Sequence, residues 1–113
     1  MKTYVAAGDI IEVAAPYNVA SGVGALVGSL FGVAQNTALS GASVPLAVTG
    51  VYDLVKTGAQ AWTVGARIYW DDSAKACTTT ASTNKLIGVA VLAVGSGAGE
   101  TTGRVRLSGA FTI

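Results

Sequence analysis

Six carboxylates, one thiol and a glycine-rich loop are the groups in this 113-residue chain with chemistry to offer. Asp71-Asp72 is the only adjacent acidic pair. With Asp9 or Glu12 it has the donor type to hold a hard cation or to divide acid and base roles. Neighbours in a strand point to opposite faces, so the two carboxylates converge only in a turn. Asp71-Asp72-Ser73-Ala74-Lys75 has the composition of such a turn, in which Asp side chains bond backbone amides two residues on. That plainer reading is preferred, and no metal site is assigned. A single cysteine, Cys77, excludes an internal disulfide and a multi-cysteine metal centre; in its Thr-rich setting it reads as a small packing residue rather than a nucleophile. The chain has no histidine, which removes imidazole acid–base catalysis, Ser-His triads and His-ligated metals. Gly95-Ser96-Gly97-Ala98-Gly99 has the flavour of a phosphate cradle, but no Gly-Lys-Ser/Thr follows it and no helix start is visible. Trp62, Tyr69 and Trp70 offer large apolar bodies with a polar edge, suited to stacking on sugars or bases or to anchoring an interface. No catalytic constellation emerges; no catalytic or cofactor-binding residue is assigned, no cofactor is expected, and the chain is expected not to be an enzyme.

The elements that must carry these residues are strands. Ile10–Ala14 is a short strand ended by Pro16, and Thr3–Ala7 reads as another before the Gly8-Asp9 turn. Val19–Ala34, with Gly24, Gly28 and Gly32, is the best candidate for a membrane helix, but 16 residues fall short of the roughly 20 that spanning needs. Two short arms around Gly28-Ser29, or one bulged strand, are the preferred reading. Gln35–Ser43 is a polar surface loop, and Pro45 opens a long strand ending near Lys56. Short helical turns are admissible around Gly58–Val64. Arg67–Trp70 is rich in aromatic and branched residues, and Ala76–Ala81 returns as its partner. Leu86–Val94 is apolar almost throughout, as in a strand buried on both faces. Arg104–Ile113 alternates for ten residues, the period of a half-buried strand. Nothing reads as a long amphipathic helix. The expectation is an all-β fold, a compact antiparallel sandwich or barrel with few or no helices.

Parts of the chain echo one another. Leu46, Val48, Gly50, Tyr52 and Leu54 match Val105, Leu107, Gly109, Phe111 and Ile113 at an offset of 59 residues; Leu30–Ala34 matches Leu86–Ala90 at 56, and Gly8–Val13 loosely matches Gly65–Trp70 at 57. One domain over residues 1–113 is expected, built from two similar halves, about 1–56 and 57–113.

Hydrophobic residues make up 51% of the chain, and charged residues only 12%, about half the usual share. A monomer of this size should expose roughly 5,700 Å², leaving one charge per roughly 440 Å². So sparse a coat implies that part of the surface faces other subunits or a larger body, as in obligate interfaces. A net charge of +1 gives no general pull toward nucleic acid, and neither a nucleic-acid nor a membrane partner is expected. The first residues lack a signal-peptide pattern.

Gly65-Ala-Arg-Ile-Tyr-Trp-Asp-Asp-Ser-Ala-Lys75, Thr78-Thr-Thr80 and Asn84-Lys-Leu-Ile-Gly-Val-Ala90, in that order, resemble the capsid cement (decoration) proteins of tailed phages and prophages. Gly8-Asp9-Ile10, Leu30–Ala34 and Leu46–Tyr52 are similar too, so the resemblance spans nearly the whole chain. It implies a small β-rich virion protein, made in the host bacterial cytoplasm, that braces the head from outside. Its partners would be the major capsid protein and copies of itself, as a homo-oligomer and most simply a trimer. The residues expected to make subunit or shell contacts are Trp62, Tyr69 and Trp70. Two rivals are carried: a sugar- or peptide-binding virion module using those aromatics, and a small hydrolase using Asp71 or Asp72.

Overall fold

The computed structural model of the chain describes residues 8–108. Among them are nine strands and no helix, in two antiparallel sheets. The strand expected at Thr3–Ala7 and the stretch Gly109–Ile113 lie outside the described residues.

The first sheet takes the order β1-β4-β3-β2, from β1 (Ile10–Ala14), β2 (Gly24–Val27), β3 (Leu30–Ala34) and β4 (Ser43–Ala47). The run of glycines that raised the membrane question is a hairpin. β2 and β3 are its arms, and Gly28 takes a φ of 59° in the two-residue connection. No helix among the described residues is long and apolar enough to cross a membrane. Pro45 does not open a long strand as expected; it sits in the middle of β4, which ends at Ala47. Its carbonyl accepts from the Gln35 amide at 2.9 Å. The β3–β4 ladder, paired at Val33–Ala47 and Ala34–Leu46, goes no further, because proline has no N–H to continue it.

Val48 carries the chain into the second sheet, of order β5-β9-β8-β6-β7: β5 (Thr49–Val55), β6 (Arg67–Asp71), β7 (Ala76–Thr78), β8 (Lys85–Ala90) and β9 (Thr102–Ser108). β9 shows the expected alternation fully, with Gly103, Val105 and Leu107 buried and the residues between them exposed. The edges of this sheet meet. Thr57 N–H donates to the Cys77 carbonyl at 2.9 Å, and Lys56 and Cys77 form a parallel bridge, so the sheet rolls toward a small closed barrel. Instead of a helical turn, the segment after β5 runs as an irregular connection in which Trp62 bridges Val94.

Ile68, Trp70, Cys77, Ile87, Val105, Leu107 and Trp62 fill the inside of the second sheet. Phe31 and Val33 of β3 reach into the same cluster, and the Phe31 ring lies 5.0 Å from that of Trp70 at 51°, which packs the first sheet on the second. A smaller cluster of Ala15, Val19, Ala25, Ala34, Val44 and Leu46 lies within the first sheet and its loops. The expected halves meet at about Lys56, whereas the sheets meet at Val48, so β5 belongs to the second sheet. There it pairs with β9, Gly50 opposite Leu107, making two of the echoing runs direct neighbours.

Candidate functional site

The turn between β6 and β7 holds the acidic pair, and its two carboxylates do different things. One oxygen of Asp71 accepts from the amides of Ser73 (3.0 Å) and Ala74 (3.2 Å), the expected turn chemistry. Asp72 is half-exposed, with one oxygen turned toward the junction of the sheets. Its Oδ1 accepts from the Tyr17 hydroxyl at 2.9 Å and from Trp70 Nε1 at 3.0 Å, while the Tyr17 oxygen accepts from the Leu26 amide at 3.1 Å. Lys75 completes the group: its ammonium stands 3.4 Å from Asp72 Oδ1, donates to the Asp72 carbonyl, and lies 4.1 Å from the centre of the Tyr17 ring. Burial alone would raise the Asp72 carboxyl, but the Trp70 and Tyr17 hydrogen bonds and the Lys75 charge outweigh it and hold the group low. Burial pushes the Tyr17 hydroxyl up to about 12. An acid catalyst needs the reverse, a carboxyl raised toward neutrality. The cluster is a tie between Tyr17 and Leu26 on one side and β6 on the other.

Beside this tie opens a polar cleft of about 680 Å³, lined by hydroxyl and amide side chains such as Gln60, Thr80 and Asn84, together with Asp72 and Lys85. Ser82 in its lining takes a left-handed φ of 39°, and Ala59, next to the lining residue Gln60, one of 55°. No group of three or more Asp, Glu, His or Cys that could hold a metal ion occurs among the described residues. In the glycine-rich loop, the Gly97 amide donates to the Glu100 carboxylate at 3.2 Å. An acid thus occupies the amide that a phosphate would need. Burial pushes the Cys77 thiol up to about 12, so it stays protonated and unreactive.

The three aromatics are not brought together at a surface. Trp62 and Trp70 are each 1% exposed and belong to the core. Tyr69 alone is half-buried, on the opposite face of β6 from Trp70. Trp70 borders the cleft but is 1% exposed, so its ring offers a sugar little face to stack on.

Two residues passed over in the sequence organise this end of the molecule. The Gln60 side chain oxygen accepts from Trp62 Nε1 (3.1 Å) and the Thr79 amide (2.8 Å), and its nitrogen donates to Thr78 Oγ1 (3.0 Å). Lys56 is 2% exposed; its ammonium donates to the Thr57 and Glu100 carbonyls at 2.8 and 3.2 Å and sits 5.6 Å from the Trp62 ring centre. Nothing in the local sequence marks either, because their partners lie up to 44 residues away. Outside the cleft, the surface carries exposed apolar side chains at Ile10, Leu39, Val51, Val55, Val64 and Leu92.

The sequence model of one family, described as phage cement protein, matches residues 5–107. No curated protein and no solved structure matches the chain.

Proposed function

Because this chain belongs to the phage cement protein family, we propose that it binds the outside of an assembled phage or prophage head as a homo-oligomer, a trimer, and stabilises the shell against its contents. The family match over residues 5–107 carries this reading. The composition supports it: a chain with 12% charged residues and, among the described residues, six exposed large apolar side chains has surface to bury and little catalytic equipment. The work is done by area, without an enzymatic step and without nucleic acid or membrane as a partner. The chain is made in the host bacterial cytoplasm and meets the major capsid protein after assembly. Of the three aromatics, half-buried Tyr69 is the one we assign to a contact, while the buried Trp62 and Trp70 hold the shape of the subunit that makes it.

The test is sedimentation of the purified protein with undecorated shells of the phage or prophage that encodes it. It should pellet with assembled shells and stay in solution with unassembled major capsid protein. Decorated shells should survive heating that disrupts bare ones, since binding only the assembled state stabilises that state by mass action. Protein left in the supernatant at saturating shell concentration sinks the reading.

A further inference from the structure

The outer face of the second sheet carries a row of directly paired residues across four strands: Val51 of β5 opposite Arg106 of β9, Arg106 opposite Val89 of β8, and Val89 opposite Arg67 of β6. Arg67 and Arg106 are exposed, Val51 is 52% exposed and Val89 is partly so. Strand spacing sets the two arginine backbones about 10 Å apart, with a valine between them. One pair further along, Asp53 accepts from Arg104 at 2.9 and 3.3 Å, and Val55 follows at 54% exposure. The two acids on this face are thus engaged, Asp53 with Arg104 and Asp71 with its turn amides. Neither Arg67 nor Arg106 has an ion-pair partner among the described residues.

We propose that this face docks on the shell, with Arg67 and Arg106 each meeting a carboxylate of the major capsid protein, about 10 Å apart, and Val51 and Val89 packing on apolar surface beside them. The inference rests on the cement reading and adds to it a face and a chemistry. A second copy of this chain does not fit face to face, since among the described residues both acids of this face are engaged and two such faces would oppose arginine to arginine; a trimer contact joining this face to a different one would show as loss of the oligomer in the charge-reversed variant by light scattering and would overturn the proposal. Duplex nucleic acid fits poorly, since half-exposed valines alternate with only two unpaired cations, whereas phosphate tracking needs many. Arginine amid apolar surface is the composition of an interface centre, where its planar fork binds carboxylate in two places.

Arg67→Glu/Arg106→Glu is compared with wild type for shell binding and for binding to duplex DNA. Arg67→Gln/Arg106→Gln serves as the milder variant, and Lys85→Glu, at the cleft, as a control that changes net charge by as much as that neutral pair. Thermal melts and circular dichroism establish that each is folded. The double reversal should weaken shell binding at least about 100-fold, because it opposes like charges in a desolvated contact. The neutral pair should weaken it less, and Lys85→Glu should bind as wild type. Wild-type binding to shells that both arginine variants retain overturns this face and leaves the cement reading standing. A wild type that binds no shell removes both. Binding to duplex DNA that the reversal abolishes, with shell binding unchanged, assigns the face to nucleic acid and overturns the proposal.

Discussion

Asp72 Oδ1 receives the Tyr17 hydroxyl and the Trp70 indole N–H, so deleting that carboxylate strands two donors at the junction of the sheets. Asp71 only closes an exposed turn. Asp71→Ala should therefore cost about 0.5–1.5 kcal/mol and Asp72→Ala about 2–3 kcal/mol, as urea unfolding would show. Equal costs would mean that the tie carries nothing beyond its turn. The folded-state carboxyl of Asp72 is depressed, so its contribution is fully present above the ordinary Asp value of about 3.9 and is lost as pH falls through the lower folded value. Asp53, held low by the Arg104 hydrogen bond, acts with the same sign. Asp72→Asn keeps an acceptor but removes the titration, so its stability should fall less steeply below pH about 4 than that of wild type, with the Asp53 part remaining. The turn role of Asp71 is legible from its neighbours; the tie of Asp72 is not, because Tyr17 stands 55 residues away. Trp70 was readable as important but not as core, since an aromatic in an alternating strand looks the same on either face, and Trp62 stands in an irregular connection with no periodicity to place it. Alanine at either should cost about 3–5 kcal/mol and unfold a marginal subunit. Tyr69→Ala should leave a folded protein, and circular dichroism separates these outcomes.

Strands were legible wherever alternation was clean, as in β6 and β9, and where a turn pair such as Gly28-Ser29 punctuated the run. The break at Val48 was not, because Leu46 to Leu54 keeps its period of two straight through the passage from one sheet to the other. Register was hidden for a related reason: it is fixed by close backbone approaches that a glycine permits and a sequence does not announce. Gly88 is the sharpest instance. A Cβ there would lie 2.1 Å from the Arg106 carbonyl oxygen and 3.2 Å from Leu107 Cα, both backbone atoms of β9. Neither can swing aside as a flexible side chain would, so relief means parting the β8–β9 ladder in the middle of the sheet. Gly88→Ala should cost about 3 kcal/mol or more, at the upper end of overpacking effects. At Gly103 the clash is with the Trp62 ring at 2.2 Å, and alanine there should be similarly harmful. Hydrogen exchange should show β8 and β9 amides losing protection together in Gly88→Ala. Unchanged protection and an unchanged urea midpoint would show that the sheet can yield where the packing says it cannot.

At the scale of the whole molecule, the charge count was the most informative line of the sequence, and it concerns association rather than fold. Seven basic and six acidic residues nearly cancel, and the exposed apolar residues include Ile10 on β1, Val51 and Val55 on β5, and Val64 and Leu92 on connections. Apolar area on several sides of a subunit fits a protein that meets both its own copies and a shell. Light scattering at micromolar concentration should give a mass near three times 11.2 kDa, and a mass near 11.2 kDa would remove the trimer. The same balance fixes how binding responds to salt. Raising salt from 0.1 to 1 M shortens the Debye length from about 10 to about 3 Å. That suppresses steering at a distance, but it leaves apolar burial intact and barely touches arginine–carboxylate pairs already in contact and out of water. Association should slow, while the amount bound at equilibrium should fall by no more than about 30-fold, since even complete loss of two pairs at the roughly 1 kcal/mol of an exposed pair comes to only about 2 kcal/mol. Co-sedimentation with bare shells across that range measures it. Release of nearly all the protein at 1 M salt would mean that long-range charge holds it on, which a net charge of +1 gives no reason to expect, and burial of area would then be the wrong mechanism.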